Sequence, residues 1–234
     1  MRKLLQVLRR NAPEATPVWQ TFAFESEDQD VTVATALRML NERTNLRDVD
    51  GNPAEPIRWE SSCLQKKCGA CAMVIDGTPR LACDTKLAAL PRETVRLEPL
   101  RKFPVVADLL VDRSALMENL AEAESWLEGV AELPNKRWEI AYEASRCLQC
   151  GLCLEVCPNF SVQGAFGGMA AMAPLARLLA QAPKSQRSEL AAAYREKVYG
   201  GCGKSLACRN VCPAELDIDK LLSRSNAAAV WRRW

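Results

Sequence analysis

The sequence predicts a small mixed α+β domain followed by a mainly helical domain, with the change near residue 102. Three observations support this. Short strand-like segments with period-two alternation recur up to Leu97 and then vanish. Beyond residue 102 the apolar residues recur at helical spacing. The cysteines fall in three runs, one in the first part and two in the second, each in a loop between regular segments.

Taken in order, residues 3–8 and 18–25 read as two strands joined by a Pro-bearing connection. Val33, Leu37 and Leu40 mark one amphipathic helix over 31–43. Asp50-Gly51-Asn52-Pro53 is a turn. Ala72-Met-Val-Ile75, Asp76-Gly77 and Arg80-Leu-Ala-Cys83 form a hairpin, and Thr94–Leu97 supplies a last strand. The second part is expected to be helical over 105–128 and near 139–146, 174–181, 187–198 and 214–230. Trp126 and Trp138, at helical positions, are expected to pack in its core.

Composition narrows the chemistry. With 31 Lys and Arg against 29 Asp and Glu, nothing points to nucleic acid as a partner. Eleven cysteines, an odd number, argue against a closed disulfide framework and for metal. Histidine is absent, which removes Rieske ligation, haem histidines and histidine acid–base catalysis. Met1–Arg10 is basic without the apolar stretch of a signal peptide, and no hydrophobic region follows Arg9-Arg10, so neither leader type is expected. The most apolar run, residues 164–182, is interrupted by Pro174 and Arg177 and falls short of the roughly twenty apolar residues of a span. Any membrane link is expected to come from a partner.

The cysteine spacings are specific. Cys63-x4-Cys68-x2-Cys71, with Cys83 on the far leg of the hairpin, is the plant-type spacing for a 2Fe–2S cluster. A structural zinc site is the alternative, although zinc usually takes paired C-x2-C knuckles. Cys147-Leu-Gln-Cys150-Gly-Leu-Cys153-Leu-Glu-Val-Cys157-Pro158 is the C-x2-C-x2-C-x3-C-P run of a cubane cluster, whose fourth cysteine ligates the other cluster when two are present. Cys202-Gly-Lys-Ser205-Leu-Ala-Cys208-Arg-Asn-Val-Cys212-Pro213 repeats that run with Ser205 at the second position. The crossing rule then groups Cys147, Cys150, Cys153 and Cys212 as a full 4Fe–4S set, and Cys157, Cys202 and Cys208 as a set of three. A cube held by three thiolates can lose the unliganded iron and become 3Fe–4S. Ser205 stands at the vacant position, either ligating a fourth iron or, as favoured here, only hydrogen-bonding, since a neutral hydroxyl is a poor ligand for soft iron.

This order of sites resembles the iron–sulfur subunit of quinone-linked succinate dehydrogenase and fumarate reductase. Phe103–Asp112 and Ser225–Trp231 add to the likeness, which covers nearly the whole chain. The resemblance implies a β-grasp ferredoxin domain (1–102) and an all-α helical ferredoxin domain (103–234). It implies electron relay between FAD in a flavoprotein catalytic subunit and a quinone at membrane-anchor subunits, haem-b-bearing forms included. The 2Fe–2S cluster would face the flavin and the 3Fe–4S cluster the quinone. It also implies a peripheral position on the cytoplasmic face of the cell membrane, with no dicarboxylate site on this chain.

The departures matter. The family's first loop commonly reads C-R-x-G-x-C, where this chain has Lys66-Lys67 before Cys68, either tuning or docking charges or plain solvated lysines. Ubiquinone-using members carry a Trp soon after the first Cys-Pro and a His after the first cysteine of the last run. Here those places hold Asn159–Val162 and Gly203, which favours menaquinone and the fumarate reductase type of an anaerobe. Trp231 and Trp234 around Arg232-Arg233 suit a membrane or subunit contact as well as a solvated tail. A different flavin-linked oxidoreductase, thiol-linked or 2-hydroxy-acid-oxidising, is the second reading. A free ferredoxin or zinc-stabilised interaction module is the third.

Overall fold

The structure is a computed structural model that describes residues 1–132 and 137–231. The Arg232–Trp234 part of the C-terminal expectation lies outside the described residues. Two compact units divide between Asp112 and Arg113, beyond the expected boundary at residue 102.

The first unit is built on a five-stranded sheet in the order β2-β1-β5-β3-β4. Strands β1 (Arg2–Arg9) and β2 (Val18–Glu25) pair antiparallel, and β1 pairs parallel with β5 (Thr94–Glu98). Alternation puts Leu5 and Val7 of β1 and Phe22 and Phe24 of β2 fully in the core, as period-two patterning requires. The hairpin of β3 (Ala72–Ile75) and β4 (Thr78–Leu81) joins through β3 to β5. Every residue of β3 is buried, which explains its continuous apolar run. Helix α1 (Val33–Asn41) starts at Thr32, whose hydroxyl accepts from Thr35 N, and buries Val33, Ala36, Leu37 and Leu40.

The expected helix over 105–128 needs correction. Residues Val105–Ala107 (β6) and Leu110–Val111 (β7) form a small antiparallel hairpin, and only Ser114–Glu122 (α2) is helical. Tertiary ties override the local pattern. Asp108 sits at the hairpin turn with φ +44°, and its buried carboxylate accepts from Arg9 Nε, Arg10 N and Arg58 N, each at 2.9 Å. That knot holds the chain just ahead of the first cysteine loop.

In the second unit, helices α3 (Trp138–Ser145), α4 (Leu152–Glu155), α6 (Arg187–Tyr194) and α7 (Ile218–Ala229) pack with α2 around α5 (Gly168–Gln181). Helix α5 is apolar on almost every side, as a central helix must be. It begins six residues before the expected start and contains Pro174, which cannot donate to the Ala170 carbonyl. Beyond α6 the chain widens into a π-helical turn, Arg195–Tyr199. There the Lys197 carbonyl accepts from Gly167 N at 2.9 Å, and the buried Lys197 ammonium pairs with Glu122. Trp126 and Trp138, expected in the core, are 50% and 58% exposed. Among the described residues no helix is long and apolar enough to cross a membrane.

Candidate metal centres

The first loop is shaped to aim N–H groups at sulfur. Leu64, Lys66 and Gly69 adopt positive φ (55°, 59° and 76°), a costly conformation for the two non-glycine residues that turns successive amides inward as an anion-binding nest. Cys63 Sγ accepts from Gln65 N and Lys67 N, each at 3.3 Å. Cys68 Sγ accepts from Cys63 N and Ala70 N at 3.5 Å. The hairpin supplies the rest. Cys71 immediately precedes β3 and Cys83 lies just past β4, so Cys83 N reaches Cys71 Sγ at 3.4 Å while Lys66 N reaches Cys83 Sγ at 3.3 Å. The Gln65 N–H, followed by the Cys68 side chain and the Lys67 N–H, holds the Cys63 thiol down to about 7. Burial, the largest effect at Cys71, pushes its thiol up to about 12. The Lys66 ammonium pairs with Asp84 at 2.8 Å, on side chains that are both partly exposed.

The two loops of the second unit share one backbone pattern. Gln149 and Gly151 have positive φ after Cys147, and Lys204 and Leu206 have it at the same offsets after Cys202. Cys150 and Ser205 each lie between such a pair, so they occupy equivalent places. The mutual effects of the thiols report who is near whom. Burial first, then Cys147 and Cys212, pushes Cys150 up to about 11. Cys147 is raised by burial and by Cys212. Cys208 is raised by burial and then by Cys157 and Cys202. Cys153 is raised by burial, then by Cys150 and Cys147, and also by Cys208 and Cys212. The chain thus gathers Cys147, Cys150, Cys153 and Cys212 in one place, and Cys157, Cys202 and Cys208 in an adjoining one. Ser205 lines a hollow together with Cys157, Cys202 and Cys208, and Cys153 of the adjoining set also borders it.

The surroundings suit sulfur-bound clusters: inward amides, thiols that are mostly half-buried and no histidine. Sequence reasoning missed two supporting residues. Gln149 Nε2 donates to Cys147 Sγ at 3.2 Å and to the Ala170 carbonyl at 2.9 Å, the carbonyl that Pro174 leaves without its helical donor. Arg113 Nη1 donates to the Cys150 carbonyl at 3.2 Å. The proline in an apolar run was the one available signal for the first; nothing local announced the second. Arg146, beside Cys147, bonds Glu143 (2.9 Å) and the Ala214 carbonyl (2.6 Å), a staple between the end of α3 and the loop after Cys212.

Comparison with known proteins agrees with this layout. Residues 4–118 match a family model described as a 2Fe-2S iron-sulfur cluster binding domain, and residues 143–216 match a 4Fe-4S dicluster domain. The chain is 34% identical over 233 residues to the succinate dehydrogenase iron-sulfur subunit of Bacillus subtilis, covering 94% of this chain and 89% of that one. The chain belongs to the succinate dehydrogenase and fumarate reductase iron–sulfur subunit family. A fumarate reductase iron-sulfur subunit of Mycobacterium tuberculosis is 31% identical, over 93% of this chain and 89% of its own length. The fold agrees with a chain of the Mycobacterium smegmatis Sdh1 complex (TM-score 0.76, 22% identity, 96% and 95% coverage). As a member of this family, the chain is an iron–sulfur protein with an electron-transfer role in an oxidoreductase complex.

Proposed function

We propose that the chain relays electrons between a flavin on a catalytic partner subunit and a quinone at a membrane anchor, through three clusters. Cys63, Cys68, Cys71 and Cys83 hold the 2Fe–2S cluster. Cys147, Cys150, Cys153 and Cys212 hold the 4Fe–4S cluster, and Cys157, Cys202 and Cys208 hold the 3Fe–4S cluster with Ser205 at the open corner. The observation that carries this reading is the grouping of thiols across the two loops: Cys212 acts on Cys147 and Cys150, while Cys157 acts on Cys208. The five-stranded mixed sheet with one helix supports a β-grasp first domain, and the helices around α5 support a helical ferredoxin second domain.

When bound, the clusters supply one-electron carriers whose potentials respond to hydrogen bonds and burial. The protein's own part is to present amides to Cys63, Cys68, Cys71 and Cys83, to hold Cys147 through Gln149, and to half-bury Cys153 against the core of the second unit. Dicarboxylate chemistry is assigned to the flavoprotein partner. The subunit is peripheral, on the cytoplasmic face of the membrane, and the missing Trp and His favour menaquinone and fumarate reduction. Electron paramagnetic resonance of the purified complex is expected to give three spin systems, with a flavin-bearing subunit and a hydrophobic anchor co-purifying. Zinc without acid-labile sulfide, or a soluble complex lacking an anchor, would overturn it.

A further inference from the structure

An open hollow of ≈ 620 Å³, its mouth included, lies between the start of α3, the second half of α5 and α7, lined on different elements from the cysteine loops. Its polar lining is cationic: Arg137, Lys220 and Arg224 against one carboxylate, Glu139. Glu139 is already matched, since Lys220 Nζ bonds it at 2.7 Å. The neighbouring acids are also committed. Asp217 caps α7, Asp219 pairs with Arg209 at 2.9 Å, and Glu132, which faces Arg137, bridges to Arg187 at 3.4 Å. Two guanidinium groups are thus left in surplus at the hollow.

One buried donor has no acceptor: Arg137 Nη1 is shut off from solvent without a hydrogen-bond partner. Ser225, only 2% exposed, is turned instead to the Tyr194 hydroxyl, which itself donates to Asn226 Oδ1 at 2.9 Å. An unmet buried donor is costly, and a guanidinium fork matches an oxyanion. The rest of the lining, with Ile140, Ala176 and Leu179, is apolar and suits an alkyl group. Helix α3 also presents Trp138 and Tyr142, both 58% exposed and stacked at 6.3 Å, the aromatic type that settles at a membrane–water boundary.

We propose that this hollow binds a phosphate group, held by Arg137 and Arg224, either as the free ion or as the headgroup of a phospholipid. The inference stands apart from the electron-relay reading. Its test uses the full chain with clusters in place at about 0.15 M salt, near the ionic strength of cells. Inorganic phosphate is titrated by calorimetry, and flotation is run with vesicles of phosphatidylglycerol and of phosphatidylcholine. Arg224 is exposed, so Arg224→Gln leaves the fold intact, and Arg137→Gln is the second variant. Each is expected to weaken binding at least tenfold while the visible cluster spectrum is unchanged. Phosphate binding lost in the variants supports a free-ion site. Retention by phosphatidylglycerol vesicles alone, again lost in the variants, supports the headgroup. Binding of neither, or equal binding by both variants and the parent chain, overturns the proposal.

Discussion

Removing the Asp108 carboxylate is expected to loosen the first unit more than most other single changes there. Its side chain is 1% exposed and that of Arg9 is 7% exposed, so the pair is almost dry. In Asp108→Ala the Arg9 guanidinium keeps its bonds to Gln20 Oε1 (3.1 Å) and to the Glu55 and Pro56 carbonyls (3.1 and 3.3 Å) but loses its counter-charge. Two backbone amides, Arg10 N and Arg58 N, lose their acceptor as well. Breaking a buried pair from one side costs about 3–5 kcal/mol, and alanine at φ +44° adds strain. For a chain of this size that is a drop of roughly 10 °C in Tm. Asn keeps an acceptor and tolerates positive φ, so Asp108→Asn should lose about half as much or less. Thermal unfolding of the full chain, followed by the visible circular dichroism of the 2Fe–2S centre, measures both. In the Arg9→Met, Asp108→Ala double variant the loss should fall below the sum of the singles, because no unpaired charge remains. An Asp108→Ala protein within about 1 kcal/mol of the parent, or strictly additive losses, would refute the reasoning.

Other outcomes follow from the same structure. Cys157→Ala is expected to abolish the 3Fe–4S resonance and spare the 4Fe–4S signal; the reverse pattern would mean the ligands are crossed wrongly. Ser205→Cys should supply a fourth thiolate and convert the 3Fe–4S centre to 4Fe–4S, seen as loss of the oxidised-state resonance. Gln149→Leu removes an N–H···S bond that favours the more negative, reduced state, so the 4Fe–4S potential should fall by roughly 40 mV, the one-electron equivalent of about 1 kcal/mol. An unchanged or higher potential in redox titration would count against that role. Gly168→Ala should destabilise the second unit by about 1–3 kcal/mol, since φ is +59° and the new Cβ would lie 2.5 Å from Leu154 Cδ2. Chemical denaturation checks it.

How far the sequence speaks depends on whether a feature is local. Strands β1 and β2 were legible because alternation in one strand reports burial on one face, and the Asp76-Gly77 turn announced the β3–β4 hairpin. The cysteine runs were legible because ligand spacing is a property of neighbours along the chain. The β6–β7 hairpin was not, since its apolar run also fits a helix and the decision rests with Arg9 and Arg58, far away in sequence. Helix α4, four residues long, is too short to show a period. Trp126 and Trp138 misled because an aromatic in a helical pattern does not say which face it occupies. The paired positive-φ residues around Cys150 and Ser205 escaped notice because Gln, Lys and Leu seldom adopt that conformation.

Pro174 has a consequence for anyone who would stabilise this protein. Replacing a proline inside a helix by alanine is a standard route to a sturdier fold, worth about 3 kcal/mol by intrinsic propensity. Here the restored amide would compete with Gln149 for the Ala170 carbonyl. The helix would gain what the cysteine loop loses, so resilience and a firmly seated electron carrier pull against each other at one position. The imperfection in α5 is a socket into which the loop is plugged.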